Sequence, residues 1–339
     1  MPTAIVTGGA GFIGSNLVRA LRRKRPDWRI INLDKLTYAG SLSNLSGIDA
    51  GENYVFVQGD ICDDTALDRI WSRGRINYVF HLAAETHVDR SLQDSRPFVR
   101  TNVEGTASLL EIARARGVDK FVYMSTDEVY GSVARGSDET FTEASPLKPR
   151  NPYSATKAAA DLLCQTAHIS RDMPIVIARA ANNYGPYQYL EKFLPLMVTN
   201  LIMGEQVPVY GTGQQMRDWL FVEDTCDALL LMAEKAKPGA IYNIAGSGLV
   251  PNIDFAKAVL KLLKLDESRL KMVADRPGHD FAYRLSAKKI EGELGFTPAT
   301  ALEEGLRKTV LWYQSNEAWW KPIREGKFKD YYRRQYGEL

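Results

Sequence analysis

Ala4-Ile5-Val6-Thr7-Gly8-Gly9-Ala10-Gly11-Phe12-Ile13-Gly14 is the stretch on which the fold turns. Its glycines at 8, 11 and 14 keep the Gly-x-x-Gly-x-x-Gly spacing between a short β-branched run and a helical pattern over 12–24. Glycine permits the tight turn and lets backbone N–H groups approach a pyrophosphate at the positive end of a helix. The glycines alone are a weak signal, with a plain turn as the alternative. Asp34 strengthens the dinucleotide reading: it ends the next predicted strand, 20 residues past Gly14, where an acid can bond both hydroxyls of an adenine ribose. The same charge would repel a 2′-phosphate, so NAD is expected over NADP. A helix-cap or turn aspartate is the alternative there.

Working outward, β-branched runs alternate with helical periodicity. Strands are expected at 4–6, 29–33, 54–58, 78–82, 121–124 and 175–178, with helices at 12–24, 64–73, 97–116 and 153–170. Near-continuous apolar strands separated by helices predict a parallel sheet covered on both faces. The alternation weakens after Gly185-Pro186, where helices at 193–203, 224–236, 252–264, 286–294 and 301–316 flank strands at 207–210 and 241–245. The expected fold class is α/β: a Rossmann-type doubly wound sheet over 1–185, then a smaller mixed α/β lobe over 186–339. Some late segments are expected back on the main sheet.

Composition bounds the function. The 339 residues are 45% hydrophobic and 25% charged, an ordinary globular balance. A net charge of +2 makes no broad polycation, and the Arg22-Arg23-Lys24-Arg25 run reads as the basic end of a helix, so no nucleic-acid partner is expected. Cys62, Cys164 and Cys226 lack Cys-x-x-Cys spacing, and His81, His87, His168 and His279 form no ligand cluster. Reduced cysteines, no metal and a cytoplasmic location are the expectation. The glycine-broken N-terminus is no signal peptide, and no run of 18 apolar residues could span a bilayer.

Chemistry concentrates in two segments. Tyr153 and Lys157 lie one helical turn apart and share a face. A lysine ammonium there would lower the phenol pKa and make Tyr153 a usable base. Thr126-Asp127-Glu128 follows the fifth strand, at the sheet end where open α/β folds bind ligands. Adjacent carboxylates repel and burial favours the neutral acid, so one can keep a proton, which supplies an acid and a base side by side. Solvated loop charge is the bland alternative. Asp60-Ile61, near the adenine, could equally be an Asx turn. Leu82-Ala83-Ala84 offers small residues on which a flat cofactor could lie, or ordinary packing.

These pieces resemble the extended short-chain dehydrogenase/reductases, and more narrowly the dTDP-glucose 4,6-dehydratases. The likeness runs through His81–Ser91, Thr101–Thr106, Thr126–Glu128, Tyr-x-x-x-Lys, Asn182–Tyr189, Glu191–Pro195, Arg217–Asp224 and Arg276–Asp280. It implies that Tyr153 takes the sugar 4-hydroxyl proton while NAD accepts the hydride from C-4. Glu128 would then remove the C-5 proton, Asp127 would protonate the departing 6-hydroxyl, and the hydride would return to C-6. Thr126 would bond the 4-oxygen and Thr86 would face the sugar. The implied cofactor set is Gly8, Gly11, Phe12, Ile13, Gly14, Asp34, Lys35, Thr37, Asp60, Ile61, Leu82, Ala83, Ala84, Thr101, Tyr153, Lys157 and Asn183. The nucleotide diphosphate would meet Asn182, Lys192, Arg217, Asn252 and the segment from His279 to Tyr283.

The implied partner is a nucleotide sugar, dTDP-glucose, and the implied assembly a homodimer through the helices at 97–116 and 153–170. The family pattern loosens at Tyr189-Leu190-Glu191 and Ser247-Gly248-Leu249-Val250, which leaves the base open between thymine and uracil. A nucleotide-sugar 4-epimerase, needing no carboxyl pair, and a non-catalytic NAD-binding module are the rival readings.

Overall fold

The computed structural model describes residues 1–48, 51–275 and 279–336. The first half alternates β1 (Thr3–Thr7), α1 (Phe12–Lys24), β2 (Arg29–Asp34), β3 (Tyr54–Gln58), α2 (Asp64–Trp71) and β4 (Tyr78–His81). It continues with α3 (Val88–Gln93), α4 (Arg96–Phe98), α5 (Gly105–Arg116), β5 (Lys120–Thr126), α6 (Pro152–Arg171) and β6 (Ile175–Ala180). The second half holds β7 (Asn182–Tyr184), α7 (Phe193–Ile202), β8 (Val207–Tyr210), β9 (Met216–Phe221), α8 (Val222–Lys235) and β10 (Ile241–Ile244). Then come β11 (Leu249–Pro251), α9 (Asn252–Leu263), β12 (Leu270–Val273), α10 (Lys288–Leu294), α11 (Leu302–Ser315), α12 (Glu317–Glu325) and α13 (Lys327–Tyr336).

Seven strands make one wholly parallel sheet in the order β10-β6-β5-β4-β1-β2-β3. β1 and β6 are buried along their whole length, as strands covered on both faces must be. One face packs Leu17 and Leu21 of α1 with Leu229 of α8; the other packs Leu67 of α2, Leu109 of α5 and Ala160 of α6. Three segments beyond residue 186 thus belong to the main sheet: β10 as its edge strand, α8 as its cover, and α10, whose Ile290 joins the same core and whose Glu293 accepts from Tyr242 of β10 (2.8 Å). The basic end of α1 pairs with α8 through Lys24–Asp227 (2.6 Å) and Arg25–Glu234 (2.5 Å).

The remainder forms a lobe with its own core, where Tyr184, Trp219, Phe255 and Trp320 meet. It carries a three-stranded sheet, β11-β9-β7, and the pair β12-β8. The strands β7, β9, β11 and β12 and the helices α3, α12 and α13 were not expected from sequence. β7 and β11 are three residues long, and β9 (Met-Arg-Asp-Trp-Leu-Phe) carries two charges, so none has a clean period of two. The helix expected over 97–116 is also altered. Its first part is a π turn, Val99–Glu104, running into α5, and a polar stretch hides such a widened turn.

Among the described residues no helix is long and apolar enough to cross a membrane. No group of three or more His, Cys, Asp or Glu could hold a metal ion among them.

Candidate active site

A cavity of about 300 Å³ opens along the carboxyl ends of β1 to β6, where the strand order reverses between β1 and β4. This is where open α/β sheets take their ligands. The glycine turn forms its floor. Gly8 has φ +71°, and a side chain there would bring Cβ within 2.7 Å of the Ala83 backbone. A Cβ on Gly14 would stand 2.1 Å from the Gly8 carbonyl oxygen. Chain and helix can meet this closely only with glycine. α1 begins at Gly11 with no capping side chain and no acid in its first turn, which leaves its N–H groups for an anion.

Asp34 is buried beside this turn. Its Oδ2 accepts the Ala10 N–H (2.9 Å) and its Oδ1 the Leu36 N–H (2.7 Å). Burial raises its pKa and the two backbone bonds oppose the rise. It is therefore a turn aspartate and a wall of the cavity at once. Asp60 has the same double character: the Cys62 N–H closes an Asx turn on Oδ1 (3.0 Å), and Lys35 bonds Oδ2 (2.6 Å). Burial works against ionising Asp60, but the Lys35 and Cys62 bonds prevail and lower its pKa. Phe12, Ile13, Thr37, Ile61, Leu82, Ala83, Ala84, Thr101 and Asn183 line the same cavity. These are residues that fit a dinucleotide: a close-approach glycine turn, a bare helix end and a buried acid at the end of β2.

The π turn places Thr101 on the wall and buries Asn102 behind it. Asn102 Oδ1 accepts the Glu85 N–H (2.8 Å), and its Nδ2 donates to the Glu85 carbonyl (3.0 Å) and to Thr156 Oγ1 (2.9 Å). It therefore pins the loop after β4 to α6. His81 supports the same corner, with Nδ1 2.8 Å from Thr7 Oγ1 and Nε2 2.9 Å from Thr106 Oγ1. Thr106 donates its own proton to the Asn102 carbonyl (2.6 Å), so Nε2 carries the histidine proton and Nδ1 accepts. Burial, then the charge of Lys157, lowers the His81 pKa to about 3 and keeps the ring neutral.

At the other end of the cavity, α6 starts where Asn151 and Ser154 form a reciprocal capping box with Pro152 at the first position. That start sets Tyr153 and Lys157 on the face turned to the 3-10 turn Asp127–Tyr130. Thr126 caps the turn, its Oγ1 accepting the Glu128 N–H (3.4 Å) and donating to Asp127 Oδ1 (3.2 Å). Asp127 is 1% exposed, and its Oδ2 has no hydrogen-bond partner. Burial, reinforced by the charge of Glu128, pushes its pKa well above the usual carboxylate range. Glu128 is half-buried and accepts from Asn151 Nδ2 (3.2 Å).

The expected effect of lysine on the phenol is not found. Burial and the charge of Glu128 raise the Tyr153 pKa. Lys157 donates to the Met124 carbonyl (2.6 Å) and lies 4.3 Å from the centre of the Tyr123 ring, and burial lowers its own pKa to about 8. Its charge is spent on the strand end rather than on the phenol.

Of the residues expected to bind substrate, Thr86, Thr126, Asn182 and Lys192 line the cavity, Lys192 Nζ donating to the Thr86 carbonyl (3.1 Å). Arg217, Asn252, His279 and Tyr283 lie off its wall, toward β9 and β11. Arg217 is buried, donates to the carbonyls of Met216 (2.7 Å), Phe281 (3.2 Å) and Asp280 (3.1 Å), and sits 4.8 Å from the Tyr283 ring centre. It is no surface salt bridge, and its charge reaches Asp127. Asn252 does not cap α9, and its Oδ1 is buried without a partner. His279 pairs with Asp275 at 2.6 Å. Arg276, Pro277 and Gly278 of the quoted segment lie outside the described residues.

Glu191 belongs to the Glu191–Pro195 segment of the resemblance but to none of its implied site residues. It is buried on the cavity wall, where its Oε1 accepts from the Tyr38 hydroxyl (2.7 Å) and its Oε2 lies 3.6 Å from His87 Nε2 and 3.8 Å from Arg90 Nε. A glutamate beside a lysine in a hydrophobic neighbourhood was the available signal.

Residues 5–309 match the family model described as GDP-mannose 4,6 dehydratase. A dTDP-glucose 4,6-dehydratase of Streptomyces niveus is 47% identical over 94% of this chain and 95% of its own. The crystal structure of DesIV, a dTDP-glucose 4,6-dehydratase from Streptomyces venezuelae with NAD and TYD bound, superposes with a TM-score of 0.90. It is 43% identical and covers 95% of this chain and 99% of that one. A UDP-glucose 4-epimerase from Thermotoga maritima shares the fold at a TM-score of 0.86 but is only 29% identical, covering 93% of this chain and 99% of its own. The likeness is therefore deeper toward the dehydratases than toward the epimerase, over the same length of chain, and the chain belongs to the dTDP-glucose 4,6-dehydratase family.

Proposed function

We propose that this chain converts dTDP-glucose to its 4-keto-6-deoxy product, with NAD used and regenerated within one turnover. The observation that carries the reading is Asp127: a carboxyl whose burial favours its protonated form, next to a more accessible carboxyl, on the wall of a dinucleotide cavity. The names of the relatives support dTDP-glucose as substrate and NAD as cofactor.

When bound, NAD supplies a hydride acceptor for C-4 and a donor for C-6, and its cationic ring adds the positive charge a phenolate needs. Asp34 and the bare end of α1 hold its ribose and phosphates. Tyr153 takes the 4-hydroxyl proton, while Thr126 steadies the oxygen. A ketone at C-4 acidifies the C-5 proton, which Glu128 removes. Asp127 gives its proton to the departing 6-hydroxyl, so water leaves without a charged leaving group. Arg217, Lys192 and Asn252 would hold the nucleotide diphosphate, Arg217 by exchanging backbone carbonyls for phosphate oxygens.

The protein acts as a cytoplasmic homodimer. Three free cysteines fit a reducing compartment. Leu92, Val99, Leu162 and Ile169, between 43% and 78% exposed, form an apolar set on α3, the π turn and α6.

A panel of nucleotide sugars incubated with the purified protein tests the reaction. Loss of one water from dTDP-glucose is expected, with deuterium placed at C-4 recovered at C-6. Conservation of mass with inversion at C-4 would replace the dehydratase by an epimerase.

A further inference from the structure

Beneath the site lies a buried charged network that the chemistry above does not use. Arg179 of β6 is 2% exposed and fully enclosed. Its Nε and Nη2 grip both oxygens of Asp161 on α6, at 2.9 and 2.8 Å, and Asp161 is wholly buried. Its Nη1 donates to the Tyr130 hydroxyl at 2.9 Å, which in turn donates to Asn243 Oδ1 on β10 at 2.7 Å. The Tyr130 ring stacks on Phe141 at 5.2 Å. A pair so deep is weak evidence for stability, because desolvation offsets most of its attraction and an apolar replacement often costs nothing. Its position offers a different account. Asp161 lies one turn beyond Lys157 and two beyond Tyr153 on the same face of α6. Tyr130 closes the 3-10 turn that holds Asp127 and Glu128. Arg179 itself is the register partner of Ser125, two residues before Asp127. At the mouth, Asn151, the cap of α6, donates to Glu128 at 3.2 Å.

We propose that Arg179, acting through Tyr130 and Asp161, is a positioning residue that fixes the Asp127 and Glu128 carboxyls against the Tyr153 and Lys157 face of α6. Two ties join the same two elements, one below the site and one at its mouth. Between them they leave the turn no room to slide along the helix. The redox pair and the elimination pair are then parts of one rigid unit.

The proposal rests on the dehydratase reading, which wild-type turnover in the same assay tests separately. Tyr130→Phe keeps the stacking on Phe141 and removes the hydroxyl that links Arg179 to the turn. A shift of the carboxyls by about 1 Å costs on the order of 10- to 100-fold in rate. Water loss from dTDP-glucose should fall by that factor, and C-5 proton exchange with solvent should fall in step. KM and NAD affinity should stay near wild type, while the thermal midpoint falls because Asn243 Oδ1 and Arg179 Nη1 each lose a buried partner. Asn151→Ser preserves the helix cap but removes the amide that reaches Glu128. It tests the tie at the mouth alone, and Arg179→Lys, which keeps a cation beside Asp161 but lacks the further nitrogen that reaches Tyr130, decides the matter for Arg179 if Tyr130→Phe does not fold. Wild-type rates in Tyr130→Phe, or in Arg179→Lys where Tyr130→Phe does not fold, overturn the proposal, as does a loss of NAD affinity in step with the rate.

Discussion

Environment, more than residue type, divides the labour between Asp127 and Glu128. Asp127 is buried on the cavity wall with one oxygen unpartnered, while the half-buried Glu128 beside it reaches Asn151. Asp127→Asn keeps the shape and removes the acid, so water loss should slow by about 10²- to 10⁴-fold. A stability change should accompany it. The folded pKa of Asp127 lies above its ordinary 3.8, so its favourable contribution is complete below 3.8 and declines as pH rises toward the folded value. Asn carries no such penalty, and its thermal midpoint relative to wild type should improve as pH rises above 3.8 toward the folded pKa of Asp127. A midpoint difference flat across that range would show that Asp127 ionises freely. The acid–base pair was legible in the sequence as two carboxyls after a strand. Their division into acid and base came from the family resemblance alone, because the physical reason for it, the deeper burial of Asp127, is not written in the residues.

Turns rather than regular elements set the site, and they differ in how openly the sequence shows them. The Gly8–Gly14 turn announces itself through spacing, and α1 runs over Phe12–Lys24, the span its periodicity predicts. The π turn at Val99–Glu104 has no such signature; a widened register is a property of hydrogen bonding, not of residue period. A third connection was equally hidden. Trp319 of α12 donates from Nε1 to Asn44 Oδ1 (2.9 Å), and Asn44 Nδ2 donates to the Ala10 carbonyl within the glycine turn (2.7 Å). Asn44 is 1% exposed, so this bridge from the last helices to the cofactor floor is shielded from water. Trp319→Phe keeps one aromatic ring, loses the indole N–H and leaves the buried Asn44 Oδ1 without that partner. NAD affinity should weaken by roughly two- to tenfold, measured by direct titration, with a loss of about 1–3 kcal/mol in stability from the unpaired Asn44 oxygen. Unaltered affinity would mean that α12 only packs against the turn.

At the scale of the molecule, the sequence shows the parallel half plainly and the lobe poorly. Apolar strands such as Ile175–Ala180 are read from composition alone, whereas β9 combines Arg217 and Asp218 with Trp219 and Phe221 and resembles no standard pattern. Its charges face partners far along the chain: Arg217 the carbonyls near 281, Asp218 the N–H groups of Gly246 and Gly248. Only the assembled lobe explains them. The opposite side of α6 poses the last question of scale. This helix presents Tyr153, Lys157 and Asp161 inward, while Leu162 and Ile169, seven residues apart, are 52% and 78% exposed on its outer face. An apolar stripe of that spacing suits packing against a second α6. If wild type sediments as the proposed dimer, Leu162→Glu combined with Ile169→Glu would place charges in such an interface and should yield a monomer by sedimentation equilibrium. Because α6 holds both faces in one rigid rod, the monomer should also lose activity, though no residue of the cavity is changed. A dimer that survives the double substitution would move the interface elsewhere, and full activity in a monomer would uncouple assembly from the site.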